Sequence, residues 1–225
     1  MPVDVAFTPG DAAPATVGVV VDVLRATSTI AQALASGYER VLCCAEIDQA
    51  RALRARLPDS LLGGERQAVR VEGFDVGASP REFLEARART LILSTTNGTR
   101  AILETAERCE RVLLGGLLNL SAVAKAVGND NAVVVCAGFQ GGFALDDVYC
   151  AGRIVQLLRS DRTHAATAAE LLARAFPDAL DGLNARTYGP PGLEDDIAYC
   201  AQEDLLDVVP ELTGVEGAAA EIMLR

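Results

Sequence analysis

Residues 17–37 read VGVVVDVLRATSTIAQALASG, and this stretch sets the grammar of the chain. The almost unbroken apolar run Val17 to Val21 fits a strand buried on both faces, where no polar alternation is needed. Asp22 closes the run. Arg25, Ala26 and Thr27 then lead into a segment with helical spacing that ends near Gly37, a residue suited to the left-handed turn after a helix. Strand, polar loop and helix together make one βα unit.

The same grammar recurs along the chain. Val41 to Ala45 leads into a helix holding Asp48 to Arg56, and Leu91 to Leu93 leads through STTNGTR into Ala101 to Arg108. Val112 to Gly116 leads into Ser121 to Val127, and Ala132 to Cys136 leads through a glycine-rich loop into Asp146 to Arg159. Parallel strands need crossover connections, so the alternation predicts an α/β fold: a three-layer α/β/α sandwich around a largely parallel or mixed sheet. Residues 182–192, with Pro190 and Pro191, read as a loop before an acidic helix from Glu194 to about Leu206. Without a linker or a low-complexity tract, residues 1–225 are expected to form one domain.

Composition removes whole classes of function. The 225 residues carry a formal charge of −11, which opposes nucleic-acid binding built on neutralising many phosphates. The apolar runs are too short to span a bilayer and the N-terminus lacks the pattern of a secretory signal, so a cytoplasmic protein is expected. Six dispersed cysteines without a CxxC pair, and a single His164, leave no set for structural zinc. The cysteines read as buried thiols. Nothing fits a Walker loop, no GxGxxG follows a strand, and no cysteine has the arginine of a Cys-based phosphatase loop. The glycine- and alanine-rich helical faces are compatible with a homodimer.

In open α/β sheets ligands gather beyond the C-terminal strand ends. Four polar features fall there: Asp22 after VGVVV, Glu65 after LLGG, STTNGTR after LIL, and Gly138 to Gly142 after VVVCA. The loop Ser94 to Arg100 is the best anion site, because helix-start amides, Thr95, Thr96, Asn97, Thr99 and Arg100 all offer donors and Gly98 permits close approach. An ordinary N-cap needs only one such residue. RATST, with Arg25, Thr27 and Ser28, reads equally as a second anion grip or as capping chemistry. Asp22, Glu65, Glu72, Asp75, Asp146 and Asp147 are candidate oxygen ligands for Mg²⁺. Acids at a helix start are favoured by its dipole in any case, which weighs against reading Asp146 and Asp147 as ligands.

Five blocks, VDVLRATSTI, GGERQAVRVEGFDVGASPREF, STTNGTRAI, CAGFQGGFALDDVYCAG and EDDIAYCAQEDLLDVVPEL, closely resemble the 2-phosphosulfolactate phosphatase (ComB) family over about Val17 to Pro210. The resemblance implies a family-specific α/β fold and Mg²⁺-dependent hydrolysis of 2-phosphosulfolactate to sulfolactate and phosphate, a coenzyme M biosynthesis type of reaction. A substrate bearing phosphate, carboxylate and sulfonate demands cationic contacts, and Arg25, Arg66, Arg70, Arg81 and Arg100 lie in the matching blocks. Joined to the residue reading, the resemblance gives Asp22, Glu65 and Asp147 metal ligation or water activation, with Glu72 and Asp75 in reserve. Arg25, Thr27, Ser28, Arg66 and the Thr95 to Arg100 loop would hold the phosphate. The alternatives are a phosphatase for another phosphorylated hydroxy acid and a non-catalytic phosphate-binding protein.

Overall fold

The computed structural model describes residues 2–186, 193–216 and 219–225. A short strand, β1 (Asp4–Ala6), precedes the expected βα units, all five of which are present. They are β2 (Ala15–Val21) with α1 (Ala26–Ala35), β3 (Arg40–Cys44) with α2 (Ile47–Arg56), β6 (Thr90–Ser94) with α3 (Gly98–Ala106), β7 (Cys109–Gly115) with α4 (Leu120–Val127), and β8 (Ala132–Cys136) with α5 (Leu145–Leu157). A hairpin of β4 (Leu61–Arg66) and β5 (Val69–Arg70) sits between the second and third units. Three helices, α6 (His164–Arg174), α7 (Ala179–Asn184) and α8 (Glu194–Cys200), and two strands, β9 (Pro210–Glu216) and β10 (Ala219–Leu224), complete the chain.

Among the described residues this gives eight α-helices and one ten-stranded mixed, mostly parallel sheet, ordered β1-β8-β2-β7-β9-β10-β3-β6-β4-β5. Strands β1, β8, β2 and β7 form one parallel set, and β3, β6 and β4 form another. The β9–β10 hairpin joins them through antiparallel pairings on both sides, so the two sets run in opposite senses along the sheet.

Alternation along the strands sorts the core. Val17, Val19 and Val21 of β2 pack with α4, α5 and α6, whereas Val20 faces α1 and α3. In the second set, Leu42 and Ile92 face α2, while Val41, Cys43, Leu91 and Leu93 face α1 and α3. Helices therefore cover both faces, and α1 and α3 share one cluster with strands of both sets. A fully buried Ile102 or Leu114 in that cluster contributes about 1.5–3 kcal/mol of hydrophobic stabilisation. Gly18 makes the contact possible, since a Cβ on it would lie 2.3 Å from Thr105 Cγ2 at the end of α3.

This arrangement brings the strand ends together. Twist of roughly 20–25° per strand accumulates to about 100–125° over the five steps from β2 to β6. Strands that run in opposite senses along the sheet thus direct their following helices, α1 and α3, toward one crevice.

Three details differ from the sequence expectation. The helix after Glu194 ends at Cys200 and not near Leu206, because the Asp204 and Leu206 N–H groups donate to the Leu117 and Leu118 carbonyls instead of continuing the helix. The loop expected over 182–192 begins later, since Gly182 lies within α7, and its 187–192 portion falls outside the described residues. The β9–β10 hairpin carries no local signal as clear as the βα units. Its pairings to β7 and β3 join residues on the order of 100 or more positions apart.

Candidate active site

The crevice holds a cavity of about 520 Å³, a size suited to a small molecule. Its wall includes Asp22 and Arg25 from the β2–α1 connection, Glu65, Gln67, Ala68 and Val69 from the β4–β5 hairpin, and Thr95, Thr96 and Asn97 before α3. Phe139 and Gln140 after β8, Asp146 at the start of α5, and Arg186 after α7 close the other side. All four polar features expected at strand ends thus meet in one place.

Asp22 sits at the centre of this convergence. It is buried, its Oδ1 accepts the Ala26 N–H at 3.2 Å, and a Cβ on Gly98 would lie 2.8 Å from its Oδ2. Burial pushes the Asp22 carboxyl up to about 7; the Glu65 and Asp146 charges add to the rise, and the Ala26 N–H and Arg25 oppose it. The start of α1 favours the anion through its dipole, but desolvation and neighbouring carboxylates win.

Asp147 stands behind Asp22. Its Oδ1 accepts the Val23 N–H at 2.9 Å and its Oδ2 the Gly138 N–H at 3.0 Å, so it ties the loop after β2 to the loop after β8. Burial, then Asp146 and Asp22, hold its carboxyl well above the ordinary range against those two N–H donors. Glu65 is a second tie: Oε1 accepts from the Thr96 N–H and hydroxyl, both at 3.0 Å, and Oε2 from the Ala68 N–H at 2.7 Å.

The approach to α3 is only partly capped. Thr95 Oγ1 accepts the Thr99 N–H at 3.3 Å and lies 3.2 Å from Thr99 Oγ1. The N–H groups of Asn97 and Gly98 donate to no other described residue. Thr95, Thr96 and Asn97 therefore border the cavity beside Asp22 at a helix start, an arrangement suited to an anionic oxygen.

A family model for 2-phosphosulpholactate phosphatase matches residues 5–214. The chain belongs to this family. A probable 2-phosphosulfolactate phosphatase of Clostridium acetobutylicum is 37% identical over 212 residues, 88% of this chain and 90% of the relative. One from Pseudothermotoga lettingae is 38% identical over 215 residues, covering 92% and 94%, and one from Thermotoga maritima is 36% identical over 219, covering 93% and 95%. The names of these family members point to a phosphatase.

Within the family frame, the candidate residues divide. Asp22, Arg25, Glu65, Thr95, Thr96 and Asn97 reach the cavity wall. Thr27 and Ser28 turn inward: their hydroxyls donate to the Asp22 carbonyl at 3.0 Å and the Val23 carbonyl at 2.8 Å. Arg66 points away as well, to the carbonyls of Glu65 and Ala45 and to Ser94 Oγ. Arg100 is exposed on the outer face of α3, Glu72 is exposed, and Asp75 accepts the Leu62 N–H outside the cavity. Arg70 donates to the Asp75 carbonyl, and Arg81 pairs with Asp195.

The sequence reading favoured Asp147 over Asp146, yet Asp146 lines the cavity. It also missed Arg186, which has no distinctive local pattern. No membrane-crossing helix is found among the described residues.

Proposed function

We propose that this chain is a Mg²⁺-dependent phosphatase that hydrolyses 2-phosphosulfolactate to sulfolactate and inorganic phosphate. The observation that carries the reading is the meeting, in one small-molecule cavity, of the Asp22 and Asp146 carboxylates, Arg25, Arg186 and the half-open start of α3. Three acids against two arginines leave the wall short of positive charge for a multiply anionic ester, and a divalent cation restores the balance.

The donor set fits such a cation. Among the described residues no group of three or more His, Cys, Asp or Glu side chains is placed to hold a metal ion, which argues against an all-protein cage. Mg²⁺ typically takes one or two carboxylates, with water and substrate phosphate completing its shell. Asp22 and Asp146 are that pair, and their mutual repulsion in a buried site favours a shared cation. What bound Mg²⁺ supplies is charge neutralisation at the phosphoryl oxygens.

The chain's own residues do the rest. Arg25 and the Asn97 amide donate to phosphoryl oxygens, each charge-assisted bond contributing about 1.5–3 kcal/mol. Arg186, on another part of the wall, takes the carboxylate or sulfonate. Glu65 and Asp147 keep the loops around the cavity in register through their backbone ties.

Phosphate release from 2-phosphosulfolactate by purified protein, with Mg²⁺, with chelator, and beside phospholactate, tests the reading. Release that needs the metal and prefers the sulfonate is expected. Preference for phospholactate would discard the substrate, chelator-resistant release would discard the metal, and no release from either ester would discard the enzyme.

A further inference from the structure

We propose that Asp196, outside the cavity wall, is a positioning residue that fixes Arg25 as the clamp for the phosphoryl group. The proposal rests on the phosphatase reading and concerns how the same site is held.

Arg25 lines the cavity, and two distant elements grip its guanidinium. One terminal nitrogen donates to Asp196 Oδ2 on α8 at 2.7 Å, and the other to the Ala68 carbonyl in the turn of the β4–β5 hairpin at 3.0 Å. The side chains of Arg25 and Asp196 are only 9% and 6% exposed, so the pair is shielded from solvent. The other oxygen of Asp196 is held too: Oδ1 accepts the Ser79 hydroxyl at 2.5 Å, with Arg81 3.9 Å away. Asp196 is thus oriented from both sides before it orients Arg25.

Stability alone is a weak reason for such a pair, because desolvating two charges offsets most of their attraction. Positioning is a stronger one. A guanidinium has five N–H donors in a rigid fork, and these two bonds to described residues use two of them. The fork is therefore locked in one orientation on the wall that Asp22 shares, while other donors remain for an anion. Charge follows the same logic: with Asp196 beside it, Arg25 is not an uncompensated buried cation when the cavity is empty.

A double-mutant cycle on the full chain, Asp196→Asn, Arg25→Gln and the combination, tests this, read as kcat/KM and as Ki for inorganic phosphate. Asp196→Asn is expected to lower kcat/KM by roughly 100-fold, the scale of a misplaced catalytic contact, and to weaken phosphate inhibition. In the Arg25→Gln background the same change should add less than about twofold, because its route to the substrate is already gone. Losses that multiply in the double variant, or wild-type kinetics for Asp196→Asn, would overturn the proposal. Should Asp196→Asn not fold, Ser79→Ala frees only Oδ1. Weaker phosphate inhibition at unchanged melting temperature supports positioning, and unchanged inhibition refutes it. A wild type that binds phosphate but hydrolyses neither ester sinks the phosphatase reading alone, with the cycle then read through phosphate affinity. A wild type that binds no phosphate sinks both.

Discussion

The two helix starts that meet at the crevice are near-equivalents on paper: Arg25 to Thr29 reads RATST, and Thr95 to Arg100 reads TTNGTR. The fold uses them in opposite ways. Before α1 the arginine reaches the cavity, while the hydroxyls of Thr27, Ser28 and Thr29 donate to the carbonyls of Asp22, Val23 and Ala78. Before α3 Thr95, Thr96 and Asn97 reach the cavity, while Thr99 is buried against Thr95 and Arg100 lies on the exposed face. A hydroxyl-rich helix start offers donors, and the phase of the helix against its neighbours decides whether a ligand or the backbone receives them.

The largest expected effect falls on the carboxylate between the two starts. Asp22→Asn should cut turnover by roughly 100–10,000-fold with the fold retained; near-normal turnover would remove Asp22 from the mechanism. Its pH signature has a definite sign. The folded Asp22 binds its proton up to about 7, well above the ordinary carboxylate value of 3.8, so the native state holds more protons than the unfolded chain between those limits. Stability of the metal-free protein therefore falls as pH rises from about 4 to about 7, then levels for this group. Asp147, also held above the ordinary carboxylate range by burial, adds a contribution of the same sign. Urea denaturation across pH should show a shallower decline in Asp22→Asn, and an unchanged slope would contradict the burial argument.

Next in size is the contact that joins the two starts. A Cβ on Gly98 would meet Ala26 Cβ at 2.4 Å and Asp22 Oδ2 at 2.8 Å. Gly98→Ala must push α3 away from α1, with an expected loss of up to roughly 100-fold in kcat/KM. Adding Ala26→Gly should recover part of it, and a Gly98→Ala variant with native kinetics would show that the close approach is dispensable. Smaller again is Thr96→Ala, which removes one hydroxyl bond to Glu65 and should cost about 0.5–1.5 kcal/mol, or roughly 2–10-fold in kcat/KM.

How much of this was legible before the structure follows from the same physics. The βα units are local signals, since buried strands and their following helices are written in consecutive residues, and all five stand as read. The crevice was legible as a set of strand-end loops. Which side chain in each loop faces it was not. Glu65 and Arg66 are neighbours on β4, and strand alternation sends them to opposite faces. Asp146 and Asp147 are neighbours on α5, about 100° apart around the axis, so one lines the cavity and the other ties backbone amides. Asp196 is hidden in the acidic run EDD, which on its own reads as a solvated surface, and only tertiary contact with Arg25 distinguishes it.

The smallest effect gives the sharpest test of the comparison, because it asks for no functional change. Ser28 is fully buried and its hydroxyl satisfies the Val23 carbonyl at 2.8 Å, one residue beyond Asp22. Removing it in Ser28→Ala leaves that acceptor without its donor, which costs about 1–3 kcal/mol. For a chain of this length each kcal/mol lowers Tm by roughly 2–4 °C. If the α1 hydroxyls serve the backbone and those before α3 face the cavity, Ser28→Ala should lower Tm and leave KM within about twofold, whereas Thr96→Ala, which loses only an exposed bond to Glu65, should raise KM with a smaller loss of Tm. A rise in KM for Ser28→Ala without loss of Tm would reverse the division between the two helix starts and return RATST to the anion-binding surface.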